Sequence, residues 1–181
     1  MNSTIDFFSI DYLQHGTPAQ QEVFSLLKDS YILELLSAYS PVLAGTIPIA
    51  VDVPGSDLDI LCSFTDSVVF KQTVTALFSD EANFSVSESE IYGHACVVAN
   101  FNKGGYPIEI FAQAIPVREQ MGYRHMVIEH WLLQQHGDPL RQEVIRLKKE
   151  GYKTEPAFCI LLGIEGDPYL ELLKLEAIAC P

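Results

Sequence analysis

Positive charge is scarce in this sequence. Eleven lysines and arginines stand against 24 aspartates and glutamates, giving a net charge of −13 and a pI near 4.6. A surface this acidic repels phosphate backbones, so DNA or RNA is not the favoured partner. Paired cysteines are lacking too. Cys62, Cys96, Cys159 and Cys180 form no Cys-x-x-Cys motif. A chain of 181 residues needs no disulfide to hold its core, so free thiols in a reducing compartment are expected. No apolar run is long enough to span a bilayer. The opening Met1-Asn2-Ser3-Thr4-Ile5-Asp6 has neither the basic start nor the long apolar stretch of a secretory leader. A cytoplasmic protein without a membrane partner is the expectation. Internal repeats, low-complexity tracts and a convincing linker are also missing, which favours one domain over residues 1–181.

What is present divides into three parts. Residues 1–40 read as helices. Thr17-Pro18-Ala19-Gln20 offers an N-cap, a first-turn proline and a glutamine placed for a capping box. Ile32, Leu33, Leu35 and Leu36 continue a helical pattern that stops near Ser40-Pro41. Residues 41–115 read as an α/β core. Strands are expected at Pro41 to Ala44, Ser56 to Phe64, Phe84 to Tyr92, Ala95 to Phe101 and Tyr106 to Phe111, with a helix capped by Asp66 after the second. Gly93-His94 is placed in a hairpin turn. Residues 116–181 are helical again, with Asp138-Pro139, Thr154-Glu155-Pro156 and Asp167-Pro168 as starts and Gly137 and Gly151 as stops. Strands in hairpin-like succession argue an α+β fold with a small mixed sheet and helices at both ends.

Three acids stand out. Asp57 and Asp59 open an apolar run, and residues two apart on a strand share a face at roughly 7 Å spacing. Like charges so placed need a cation, a proton or solvent to relieve them. Glu109 lies between Ile108 and Ile110, where an unpaired ionised carboxylate is costly to bury. If their strands are neighbours, Asp57, Asp59 and Glu109 converge as ligands for one or two Mg²⁺ or Mn²⁺ ions. Upstream, Gly45-Thr46 follows a strand and supplies a glycine, a hydroxyl and free backbone N–H groups for phosphate oxygens. No Ser-His-Asp order or nucleophilic cysteine context is visible. The spacing of His125 and His130 puts them on different helix faces, which argues against zinc.

The combination of Leu43-Ala44-Gly45-Thr46, Gly55-Ser56-Asp57-Leu58-Asp59-Ile60 and Ile108-Glu109-Ile110 resembles the nucleotidyltransferase superfamily of the DNA-polymerase-beta type. More closely, Pro54 to Ile60, Pro116-Val117-Arg118-Glu119-Gln120, Tyr123-Arg124-His125-Met126 and Lys153 to Phe158 look like an uncharacterised bacterial domain family within that fold. The resemblance implies Asp57, Asp59 and Glu109 as metal-holding catalytic residues, with Gly45, Thr46 and Ser56 on the triphosphate of an NTP. It implies transfer of a nucleoside monophosphate to a hydroxyl of an unknown small-molecule or protein acceptor.

One departure matters. The stretch from Ile47 to Val53 contains no lysine or arginine, where active members often supply a basic or polar residue. Triphosphate charge then falls to metal or to the C-terminal helices, with Arg118, Arg124 and Lys153 as candidates. Lys148 and Lys149 read as a solvated helix face. The same departure keeps two alternatives open: a non-catalytic nucleotide- or partner-binding module, and a phosphohydrolase using the same carboxylates. A sheet edge or the apolar Ile47-to-Val51 loop offers a contact for a second copy, and the oligomeric state is left open.

Overall fold

The fold was analysed in a computed structural model, which describes residues 5–91 and 93–179. Helix α1 (Pro18–Ser30) begins as its sequence dictates. Thr17 Oγ1 accepts from Gln20 N at 3.3 Å, and Gln20 Oε1 accepts from Thr17 N at 2.9 Å. Two otherwise orphaned amides are thereby satisfied reciprocally. A short α2 (Ile32–Leu35) leads into strand β1 (Val42–Ala44). Strand β2 (Leu58–Ser63) follows, then α3 (Ser67–Phe78), whose first turn is capped by Asp66 accepting from Val68 N and Val69 N. Strands β3 (Ala82–Ile91), β4 (His94–Lys103) and β5 (Tyr106–Gln113) form a meander.

The described strands make one five-stranded sheet in the order β1-β2-β5-β4-β3. Strand β2 runs parallel to β5, and the other pairings are antiparallel. The expected mixed sheet with flanking helices is therefore what forms. Two boundaries beside the turns differ from expectation. Strand β2 starts at Leu58, so Asp57 precedes the strand. His94 pairs with Ile91 inside the β3–β4 ladder, leaving Gly93, at φ 78°, for the turn. Tyr92, the expected end of its strand, lies outside the described residues. The C-terminal part opens with one long element, α4 (Met121–Lys149), broken at Gly137 (φ 69°, ψ −161°). Asp138 and Pro139 restart the helix at the break, because a prolyl ring and its missing N–H fit only a first turn. Helices α5 (Thr154–Leu162), α6 (Pro168–Leu173) and α7 (Glu176–Ala179) complete the chain.

The sheet separates two apolar clusters. On one face Leu58, Ile60, Cys62, Ile108 and Ile110 pack with α1 and α3 residues such as Leu27 and Phe70. On the other face Leu61 and Phe111 pack with Met126, Leu132, Val144 and Phe158 of α4 and α5. The period of two along a strand fixes the consequence. Asp59 shares the face of Leu61, and Glu109 that of Phe111, so both acids point toward the C-terminal helices.

The loop joining β1 to β2 is held from two sides. Gln20, itself buried, donates through Nε2 to Ile47 O at 2.8 Å and to Pro48 O at 3.1 Å. Arg141 Nη1 donates to Ile49 O and, at 3.0 Å, to Ala50 O. Ile47, Ile49 and Val51 are all buried within the chain. The apolar stretch considered as a contact for a second copy is thus internal packing.

Candidate active site

Parallel pairing of β2 with β5 sets Asp59 directly opposite Glu109. Asp57, two residues before Asp59, stands exposed at the mouth of the same feature. That feature is a cleft of about 650 Å³ between the sheet and the C-terminal helices. Gly45, Thr46, Ser56, Asp57, Asp59 and Glu109 all line it. Gly45 has φ 80°, and a Cβ built there would lie within 3.3 Å of Asp59 Cγ and closer still to Asp59 Oδ2. The glycine is required by the carboxylate beside it as well as by its own left-handed backbone. Ser56 closes the turn before Asp57: its Oγ accepts from Val53 N at 3.0 Å, and its N–H donates to Val53 O at 2.9 Å.

The carboxylates strain against one another. Burial, then the charges of Asp57 and Glu109, push the Asp59 carboxyl up to about 7, against the opposing pull of Lys148 and Lys153. Burial and Asp57 raise Glu109 as well, again opposed by Lys153. Desolvation and like charge both disfavour the ionised forms, and a cation at this point relieves both. Among the described residues no group of three or more His, Cys, Asp or Glu side chains is arranged to hold a metal ion by itself. The donor set nonetheless fits Mg²⁺, which takes one or two carboxylates and completes its shell with substrate phosphates and water.

Basic residues reach the cleft from the C-terminal helices, Lys153 as a named candidate and Lys148 as an unexpected one. Lys148, at the end of α4, and Lys153, just before α5, both line it. Neither has a carboxylate within 4.0 Å among the described residues. Burial lowers Lys148, while Glu129, Asp52, Asp57 and Glu155 act to raise it. Lys148 is therefore not the solvated helix-face residue that its sequence context suggests. The two expected arginines are elsewhere. Arg124 makes a two-pronged pair with Glu176, at 2.8 and 2.6 Å. The Arg118 guanidinium lies 4.2 Å from the ring centroid of Phe8. Neither lines the cleft.

Sequence reasoning also missed Glu129, a buried cleft residue on α4. The available signal was its place between Met126 and Leu132, a lone acid inside the helix's apolar stripe. His125, one turn earlier, is buried with Nε2 at 2.8 Å from Tyr169 O and Nδ1 at 3.5 Å from Glu155 Oε1.

A sequence-family profile described as "Domain of unknown function (DUF4269)" matches residues 25–175. The chain belongs to this family. No curated protein matches it. Among solved structures it is similar to the Cid1 poly(U) polymerase bound to MgATP, with a TM-score of 0.53 and 13% identity, over 74% of this chain and 42% of that one. The same polymerase with Mg 3′-dATP matches with a TM-score of 0.51 and 12% identity, over 72% of this chain and 40% of that one. This DUF4269 chain thus spans less than half the length of those structures. At such identity the likeness establishes the fold alone.

Proposed function

We propose that this protein transfers a nucleoside monophosphate from an NTP to a hydroxyl of a small-molecule or protein acceptor, with Mg²⁺ or Mn²⁺. The observation that carries the reading is the Asp59–Glu109 register pair beside Asp57, sharing one cleft with Lys148 and Lys153. Bound at one or two of the carboxylates of Asp57, Asp59 and Glu109, a divalent ion would supply charge stabilisation for the attacking and leaving oxygens. Asp57 and Asp59 hold that charge at the rim and in the half-buried interior, respectively. In this reading Glu109 accepts the proton of the acceptor hydroxyl. Thr46 presents its hydroxyl and backbone N–H, and Ser56 its hydroxyl, to phosphate oxygens.

Lys148 and Lys153 take the place of the basic residue absent from the loop. They neutralise triphosphate charge from the helix side, where the first turn of α5 also favours anions. The nucleotide-bound polymerases of the same fold, one with MgATP and one with Mg 3′-dATP, support a magnesium–nucleotide ligand. The decisive experiment is binding and turnover of NTPs by wild type, Asp57→Asn and Asp59→Asn. Divalent-dependent NTP binding that both variants lose, with their folds intact, is the expected result. Variants that bind metal and nucleotide as wild type does would overturn the site. Release of inorganic phosphate from NTP alone would instead mark hydrolysis.

A further inference from the structure

The helix-side wall of the cleft holds a group that phosphate chemistry does not use. Glu129 lies one turn beyond His125 on α4 and is only 4% exposed, yet it lines the cleft of Asp59 and Glu109. Its Oε1 is fully buried and has no hydrogen-bond partner among the described residues. An unpartnered buried acid is costly to keep, and such groups concentrate where ligands bind.

The polar groups facing it are engaged or distant. His125 is held by Tyr169 O and Glu155. Lys148 lies beyond ion-pairing distance of Glu129, outside 4.0 Å. Burial, then the charge of Glu155, hold Glu129 well above the ordinary carboxylate range, with Lys148 pulling the other way. In either protonation state its carboxyl keeps an acceptor oxygen. The neighbouring cleft wall is apolar, with Leu61, Phe111, Met121 and Met126. An apolar wall beside convergent polar groups suits a flat heterocycle with polar edges, and a cleft of about 650 Å³ has room for a whole small ligand.

We propose that Glu129 reads the nucleobase of the bound nucleotide, its carboxyl accepting a hydrogen bond from an amino group on the base edge. The proposal rests on the nucleotidyl-transfer reading above. Adenine, cytosine and guanine each carry such an amino group. Uracil carries none, so it offers this acceptor no amino donor. Uridine nucleotides are therefore the weakest ligands, the reverse of the UTP selectivity named for the polymerase of like fold.

The test is calorimetric titration with Mn²⁺ and the α,β-methylene analogues of ATP, GTP, CTP and UTP, with inorganic tripolyphosphate as the base-free probe. Wild type should bind at least one amino-bearing nucleotide tenfold or more tightly than the UTP analogue. Glu129→Leu should compress that ratio below threefold and leave tripolyphosphate affinity unchanged. Glu129→Gln, which keeps size and one acceptor oxygen, should lie between, and thermal melts confirm that both variants fold. A base preference that survives in Glu129→Leu overturns the proposal. So does a wild type that binds all four analogues alike. A wild type that binds neither tripolyphosphate nor any nucleotide refutes the nucleotidyl-transfer reading itself, a distinct outcome.

Discussion

Gly45 yields its side-chain space to Asp59. A Cβ built on Gly45 would fall inside the van der Waals surface of Asp59 Oδ2. A side chain at residue 45 would therefore have to displace the Asp59 carboxylate from this position.

Gly45→Ala should accordingly act on stability and chemistry together. A positive φ costs an alanine about 1 kcal/mol or more, and the displaced carboxylate adds to that. A loss of roughly 1–3 kcal/mol corresponds to about 2–10 °C in melting temperature for a chain of this size. Nucleotide turnover should fall at least tenfold, because Asp59 is moved from its place opposite Glu109. Calorimetric melting and a turnover assay check the two halves separately.

Asp59 should titrate near neutrality in metal-free protein. Its folded value, about 7, lies above the ordinary 3.8. For an acid raised by folding, the fold binds a proton that the unfolded chain has released. Stability is then unaffected below about pH 4 and falls as pH rises toward 7. At about 1.4 kcal/mol per unit the loss has an upper bound of about 4 kcal/mol. Asp59→Asn removes it, so in EDTA the variant should match wild type near pH 4 and exceed its stability at pH 8. Urea unfolding at the two pH values measures this, and an unchanged difference would refute the assigned environment.

The loop clamp predicts a split between two kinds of residue. Gln20→Ala removes the donor to Ile47 O and Pro48 O and leaves buried carbonyls unpaired, a cost of roughly 2 kcal/mol. Arg141→Ala frees Ile49 O and Ala50 O at a more open position and should cost about 1 kcal/mol. Hydrogen exchange at Val51, whose N–H donates to Thr46 O, should quicken in both variants. Unchanged protection there would show that the buried side chains of Ile47, Ile49 and Val51 suffice to hold the loop.

Lysine and arginine substitutions should separate cleanly. Lys148→Met and Lys153→Met should each weaken tripolyphosphate binding about tenfold, the scale of one charge-assisted contact. Arg118→Ala and Arg124→Ala should leave it within twofold. Arg124→Ala should instead loosen α7, whose Glu176 it holds, and show as faster proteolysis after residue 173. Equal losses at all four positions would argue for a long-range effect of net charge alone.

Much of the fold was legible locally. The Thr17–Gln20 box, the Asp66 and Asp167 caps and the break at Gly137 follow from contacts between near neighbours in sequence. Strand ends were less legible. Asp57 and His94 fell on the wrong side of a boundary because ladder pairing, not residue preference, ends a strand. Of the candidate site, Gly45, Thr46, Asp57, Asp59 and Glu109 could be chosen because acids, glycine and a hydroxyl interrupt an apolar pattern, and Ser56 through the family resemblance. Arg118 and Arg124 were chosen for charge and proximity in sequence, and tertiary packing turned them to Phe8 and Glu176.

The sequence by itself determined which residues are costly to bury and which turns must carry glycine, since both depend on side-chain chemistry and local backbone geometry. Only the tertiary structure decided that β2 lies parallel to β5, which puts Asp59 opposite Glu109 across 50 residues of chain. It likewise decided that Lys148, Lys153 and Glu129 share their cleft. Those contacts join segments far apart in sequence. They are selected by the burial of Leu61, Phe111 and Met126 against one another, which no local pattern encodes.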